Sequence, residues 1–390
     1  MTDLAVGLKE RGLDIKVYTG QPNYHSGENE KQPRVSVYEN TPVVRISAPQ
    51  VRQSSLIRRL FNWTVFISWM FVVLLLDTSR NDREVVFVSI TPFLSTVVSL
   101  ACRLNGWDYT YIAYDLYPDQ AAELGYVAKG GIVERLWRRV ENSTLSSANN
   151  VVVNGELMKE RLLENSEGRV DPTDVKIIHN WADEDFLRPM PKEENPFSRE
   201  HDLVDPFTVL YSGNIGEFHD LETLIEAAAR FDDGDVQFLI IGEGDKKKSL
   251  IRLAESLSIL GDTVTFLPYQ PWDDLPHSLT SGDVSVVTVQ KGFEGVCVSS
   301  KIYSAMAAGM PILCIAQPFD DESRLVDQFD MGLHVPQGDV DGTVEAIESW
   351  RSDERLLQNQ GRNARSAFEQ NFTKDECIDD YYQLLTEDGR

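Results

Sequence analysis

Three short segments of this sequence set glycines, hydroxyls and lysines where an anion can be held. Tyr211-Ser212-Gly213-Asn214-Ile215-Gly216 follows a β-prone run and precedes a helix-prone one. Glycines there let backbone amides approach an anion, and the start of the next helix adds the positive end of its dipole. A tight β-to-α turn without any ligand reads the same way. Ile241-Gly242-Glu243-Gly244 repeats the logic after the next strand, with Lys246, Lys247 and Lys248 just beyond. A lysine run at a helix start is usually a solvated face, so at most one of the three is expected on a phosphate. The third segment, Glu294-Gly295-Val296-Cys297-Val298-Ser299-Ser300-Lys301, ends in Ser-Ser-Lys at a predicted helix N-terminus, where hydroxyls, amides and an ammonium converge. An N-capping serine beside a surface lysine is the plainer alternative. The small-residue helix that follows, Ala305–Gly309, favours a site because it lets that end pack close to a sheet. Gly213, Asn214, Gly216, Gly244, Ser300 and Lys301 are therefore the expected diphosphate-binding set. In the first half, Asp115-Leu116-Tyr117-Pro118-Asp119 stands at the C-terminal end of the β-prone run Tyr109–Tyr114, the edge at which open α/β sheets place ligands. Asp115 and Asp119 can orient a hydroxyl or act as a base there, or can serve only as capping and turn carboxylates.

The elements that must carry these segments alternate. In the first half, helix-prone residues around Leu4–Leu8 lead to a strand at Ile15–Tyr18, then to strands at Val35–Tyr38, Val43–Ile46 and Val85–Ser89, helix Phe93–Leu104, helix Ile132–Ser146 and strands Val151–Val153 and Lys176–Ile178. Residues 188–206 are rich in Pro and charge, as a linker is. The second half alternates again: strands at Thr208–Tyr211, Gln237–Ile241, Val264–Phe266, Val284–Val287 and Pro311–Ile315, with helices Leu221–Ala229, Lys248–Leu257 and Lys301–Ala308. Such alternation predicts two doubly wound α/β domains. Their expected bounds are 1–190 and 191–370, with a C-terminal helix over 371–390 packing back toward the first domain.

A chain of 390 residues is long enough for two cores. With 62 acidic against 37 basic residues, the net charge of -25 disfavours nucleic acid and repels anionic surfaces at long range. Acidity spread along the whole chain also suits a protein kept soluble in high salt. The four cysteines, Cys102, Cys297, Cys314 and Cys377, lack metal-ligand or disulfide-framework spacing, and residues 1–30 carry no signal-peptide pattern, so a reducing cytoplasm is expected. From Trp63 to Leu76 only Thr64 and Ser68 interrupt an apolar run, and Arg52, Arg58 and Arg59 lie upstream. The run is short of the about 20 residues a spanning helix needs. It reads as an interfacial helix touching the membrane through Trp63, Trp69 and Phe71, or as a core helix of the first domain.

Gly-Asn-Ile-Gly, Gly-Glu-Gly, Ser-Lys-Ile-Tyr and Ala-Met-Ala-Ala-Gly-Met-Pro, in this order, resemble the donor domain of family 4 glycosyltransferases. Pro22-Asn23-Tyr24 and Asp115-Leu116-Tyr117-Pro118-Asp119 are similar to first-domain motifs of the branch that builds cell-surface polysaccharides, related to fucosyl and N-acetylglucosaminyl transferases. The resemblance implies a GT-B fold of two Rossmann-like domains facing a cleft. It implies transfer with retention from a nucleotide-diphosphate sugar to a lipid-linked or glycan acceptor, with no metal and no cofactor, at the cytoplasmic face of the membrane. No Asp-x-Asp stands at a strand end of the first domain. The resemblance also places His219 and Asn214 where the family has lysine and arginine on the first donor-domain loop, and Glu294 near the family's first paired glutamate. Ser304 and Val296 occupy the paired-glutamate positions themselves. A sugar-nucleotide epimerase of the same fold and a non-catalytic partner subunit are the alternatives. In this fold a strand precedes the first helix, so the reading frame is expected to extend upstream by roughly 15–25 residues, one strand and its loop.

Overall fold

The computed structural model describes residues 1–21, 32–46, 56–77, 83–89, 91–231 and 234–387, and for 56–60 and 387 the backbone alone. Pro22-Asn23-Tyr24 and Arg52 lie outside the described residues, as do the side chains of Arg58 and Arg59. The chain divides into two compact units. One comprises Met1–Asn154, Lys159–Ile178 and Ile378–Arg390, the other Gly155–Met158 and His179–Cys377.

The first unit contains α1 (Thr2–Glu10), β1 (Val17–Thr19), β2 (Val35–Tyr38), β3 (Thr41–Arg45), α2 (Leu56–Leu76), β4 (Glu84–Val88), α3 (Leu94–Asn105), β5 (Asp108–Ala113), α4 (Asp119–Glu123), α5 (Ile132–Leu145) and β6 (Asn150–Val153). Helix α6 (Glu156–Asn165) and β7 (Val175–Ile177) follow. Strands β4-β5-β6-β7 form a parallel sheet in that order, and β1-β3-β2 a small mixed one. Strands β5 and β6 are buried almost throughout, as central parallel strands must be. Sequential parallel strands joined by right-handed crossovers put α3, α5 and α6 on one face of the sheet.

Helix α2 is longer than the apolar run that announced it: 21 residues, beginning at Leu56. Ile67, Met70 and Leu74, at helical spacing, bury one face, and α3 packs beside it. Trp63 and Phe71 are consequently half-buried, against the expectation of exposure, while Trp69 stays 45% exposed. Among the described residues no helix is long and apolar enough to cross a membrane.

The second unit holds α7 (Pro196–Glu200), β8 (Phe207–Ser212), α8 (Glu222–Ala228), β9 (Val236–Ile241), α9 (Lys247–Ser256), β10 (Val264–Leu267), α10 (Leu275–Leu279), β11 (Val284–Thr288), α11 (Lys301–Ala307), β12 (Ile312–Ile315), α12 (Asp321–Gln328), β13 (Gly332–Val335), α13 (Val340–Ser352), α14 (Glu354–Asn371) and the start of α15 (Lys374–Glu387). Its six parallel strands run β10-β9-β8-β11-β12-β13. Sheet order thus reverses between β8 and β11, the switch point beside which doubly wound sheets hold ligands. Val209, Phe238, Val286 and Trp350 are among the fully buried core, and Trp350 Nε1 donates to Gln360 Oε1 at 2.7 Å. Helix α15 is divided between the units. Lys374 at its start bridges to Asp183 in the second, whereas Ile378 packs on Gly7 and Asp379 accepts from Arg11 in the first.

Candidate active site

The loop after β8 and the loop after β11 meet at the switch point. Lys301, the first residue of α11, sends its stem across Gly213: a Cβ on Gly213 would lie 2.5 Å from Lys301 Cε. Gly213 also holds φ +143°, so only glycine serves both the turn and the approach. Lys301 Nζ lies 3.0 Å from His219 Nε2 and 5.5 Å from the centre of the Tyr211 ring. His219 Nδ1 is 3.1 Å from the carbonyl oxygen of Thr288 at the end of β11. That carbonyl can only accept, so Nδ1 carries the proton and Nε2 offers its lone pair to the ammonium. Burial first, and the Lys301 charge second, lower the His219 pKa to about 3, which keeps the ring neutral. Burial lowers Lys301 to about 8. The site therefore centres on one enclosed ammonium whose hydrogen-bond acceptor is uncharged.

A second layer of loop supports the first. A Cβ on Gly242 would fall 1.9 Å from Gly213 O, and one on Gly244 2.2 Å from Ile215 O, so the two glycine loops lie backbone against backbone. Ile215 N–H donates to Glu243 O and Lys246 N–H to Ile215 O, at 2.9 and 3.1 Å. Gly244 thus packs directly under the Ile215 turn. Asn214 is exposed and Gly216 buried, and among the described residues their N–H groups donate to no backbone carbonyl. The lysine run is already engaged: Lys246 Nζ bonds His219 O at 2.8 Å and Glu222 Oε2 at 2.5 Å, and Lys247 Nζ bonds Gly242 O at 2.8 Å. Both act as internal ties. Ser300 is exposed and makes no side-chain cap for α11.

Glu294 is half-buried and accepts from Gly292 N–H at 2.8 Å. Nearby, sequence reading missed an acidic group at the start of α12. Glu322 Oε1 accepts Ser299 N–H at 2.5 Å and so ties the Ser-Ser-Lys loop from below. Burial pushes the Glu322 carboxyl well above its usual range and Asp320 to about 7. The signal was present as Asp320-Asp321-Glu322 shortly after an apolar strand, at the ligand-bearing edge of the sheet.

The two first-unit carboxylates differ sharply. Asp115 follows β5, and its N–H donates to Ser89 Oγ at 2.9 Å, with burial raising its carboxyl to about 6. Asp119 is buried in an ion-pair cluster, with Arg138 Nη1 at 2.9 Å, Arg161 Nε at 3.3 Å and Asn165 Nδ2 at 3.0 Å. Such a saturated carboxylate ties α4 to α5 and α6. Arg138→Ala is expected to destabilise the protein by about 1–3 kcal/mol in chemical denaturation, because it leaves Asp119 short of a charge partner. A change within about 0.5 kcal/mol would contradict a structural role.

Residues 192–367, which span β8 to β13 and both glycine loops, match the model of the family described as glycosyl transferases group 1. Over that segment the chain is similar to the group 1 glycosyltransferases. This glycosyltransferase is 27% identical over 382 residues to a putative colanic acid biosynthesis glycosyl transferase, WcaI, of Escherichia coli, covering 95% of this chain and 91% of the relative. It is 28% identical over 313 residues to the probable glycosyltransferase WbjE of Pseudomonas aeruginosa, covering 80% and 76%. The structure of Anabaena HepE in complex with UDP-glucose superposes with a TM-score of 0.71 at 13% identity, over 96% of this chain and 100% of that one. The glycosyltransferase thus has the GT-B fold of two Rossmann-like domains.

Proposed function

We propose that this enzyme transfers a sugar, with retention of anomeric configuration, from a nucleoside diphosphate sugar to a lipid-linked or cell-surface glycan acceptor. The observation that carries this reading is the single ammonium of Lys301, presented at the switch point with room made by Gly213 and an uncharged acceptor in His219. An oxyanion leaving group needs a preorganised positive partner, and one fixed charge with the amides of Asn214 and Gly216 supplies it without a metal. As the bond from the anomeric carbon to the diphosphate oxygen breaks, Lys301 and those amides take up the charge on the departing phosphate. The acceptor hydroxyl oxygen bonds to the anomeric carbon, and its proton passes to a base. Asp115 suits that task in part because its carboxyl sits near 6, and Glu294 is assigned to the donor sugar. The UDP-glucose complex of HepE supports the donor class, and the colanic acid description of WcaI the acceptor class.

We further propose that the enzyme is a peripheral protein of the cytoplasmic face of the membrane, with α2 in contact through Trp63, Trp69 and Phe71. Incubation with a panel of nucleotide sugars and a polyprenyl-linked acceptor, read by mass spectrometry, tests the function. A glycosylated lipid is expected, unchanged by EDTA. An isomerised sugar nucleotide would point to an epimerase, and no turnover with any donor to a partner subunit.

A further inference from the structure

Phe93 stands where turn chemistry reserves a place for glycine. Leu94 N–H donates to Thr91 O at 3.1 Å and closes a turn over Thr91-Pro92-Phe93-Leu94 at the entry to α3. Proline suits the second position of such a turn. The third takes a positive φ, which favours glycine and strains a bulky side chain. Phe93 holds φ +65° and ψ -1° there, and its side chain is 46% exposed. Glycine would make the turn without strain, so the cost of phenylalanine points to a use for its ring.

That ring is backed from within the first unit. It stacks on Trp137 of α5 with centroids 4.4 Å apart and planes at 22°, and Tyr117 stacks on the same indole at 5.5 Å and 9°. Trp137 is 8% exposed, and its Nε1 has no hydrogen-bond partner among the described residues. A buried indole ordinarily finds one. Trp137 is therefore fixed by its faces, as a backing on which Phe93 is held toward solvent.

The surroundings select the guest. Phe93 follows β4 and Tyr117 follows β5, so both rings stand at the carboxyl edge of the sheet. Ser89 Oγ accepts the N–H of Tyr114 and of Asp115, each at 2.9 Å, and so stitches the end of β4 to the loop that carries Asp115. A flat aromatic face on a loop adjoining a carboxyl group fits a pyranose, which has C–H groups on one face and hydroxyls at its rim. A prenyl chain would use the ring and not the carboxyl.

We propose that the first unit binds the acceptor through Phe93, whose outer face carries a pyranose ring of the acceptor glycan with a hydroxyl turned toward Asp115. This deepens the reading of a glycan acceptor and rests on it. Two measurements on the full chain test it: saturation-transfer NMR with methyl glycosides of common hexoses and N-acetylhexosamines, and transfer kinetics with the polyprenyl-linked acceptor. Phe93→Gly and Phe93→Leu should each raise the acceptor KM about tenfold and erase the saturation-transfer signal, with kcat and the donor dissociation constant within about twofold of the parent. Phe93→Trp should keep both. Glycine adopts φ +65° freely, so the glycine variant should hold its melting temperature within about 4 °C, which a ring needed only for packing would not allow. The proposal is overturned if the parent binds no glycoside, if Phe93→Gly binds glycoside and acceptor like the parent, or if leucine serves as well as tryptophan. A fall of melting temperature and donor affinity together with acceptor binding overturns it too, as a packing role. Glycoside binding that depends on Phe93 in an enzyme that transfers no sugar removes the function and leaves the platform, whereas transfer indifferent to Phe93 removes the platform alone.

Discussion

Replacing Lys301 with methionine is expected to weaken donor binding by about ten- to a hundredfold, because one charge-assisted contact to phosphate contributes on the order of 1.5–3 kcal/mol. Methionine keeps the length of the stem that lies across Gly213, so titration calorimetry reads the lost charge and not a lost shape. The pH dependence is a second signature. With the folded pKa lowered to about 8, the ammonium disappears as pH rises through that value. Donor affinity should be level below about pH 7 and fall by up to about tenfold per unit above 8, since the bound diphosphate keeps the lysine protonated. Stability moves in the opposite direction. Between about 8 and the ordinary lysine value of 10.5 the unfolded chain binds this proton and the folded one does not, so this group makes folding more favourable as pH rises. Weaker binding above pH 8 is then not unfolding. An unchanged dissociation constant in Lys301→Met, or the same pH profile in both proteins, would remove Lys301 from the site.

Gly213→Ala is expected to disable the site by a different route. Its Cβ would press to 2.5 Å from Lys301 Cε, and its φ of +143° is a region that alanine adopts only at a cost of about 1–3 kcal/mol. The lysine stem is flexible and can swing aside, so the protein should fold with a lowered melting temperature and bind donor as poorly as Lys301→Met. The two substitutions should not add: Gly213→Ala made in the Lys301→Met background should cost little further affinity, since the ammonium it displaces is already gone. Additive losses would show that Gly213 serves the ligand directly and not through Lys301. Gly242→Ala is the contrast, because its Cβ would meet the backbone oxygen of Gly213 at 1.9 Å, which cannot swing aside, and soluble folded protein is not expected.

Much of this was legible along the chain. Alternating β- and helix-prone runs announced two doubly wound domains, and glycines after strands β8 and β9 announced backbone turns at the ligand-bearing edge, because periodicity and glycine conformation are local properties. The partner of a polar side chain is not local. Lys246, Lys247 and Lys301 are equivalent as letters, and only the fold shows that Lys246 is spent on Glu222 and His219 O, that Lys247 is spent on Gly242 O, and that Lys301 crosses Gly213 into the site. That choice depends on the sheet order, which sets β8 beside β11 although β9 and β10 intervene in sequence, and so lets His219 bridge Thr288 O and Lys301. Asp115 and Asp119 stood alike at one strand end until packing brought Arg138 and Arg161 to Asp119 alone. The sequence by itself determined which segments turn, extend or coil, since those follow from each residue's own backbone preferences. Which charge is satisfied inside, which stays available, and that α5 turns its isoleucine and leucine outward were decided only when distant elements packed, because burial and pairing belong to the neighbours that topology supplies.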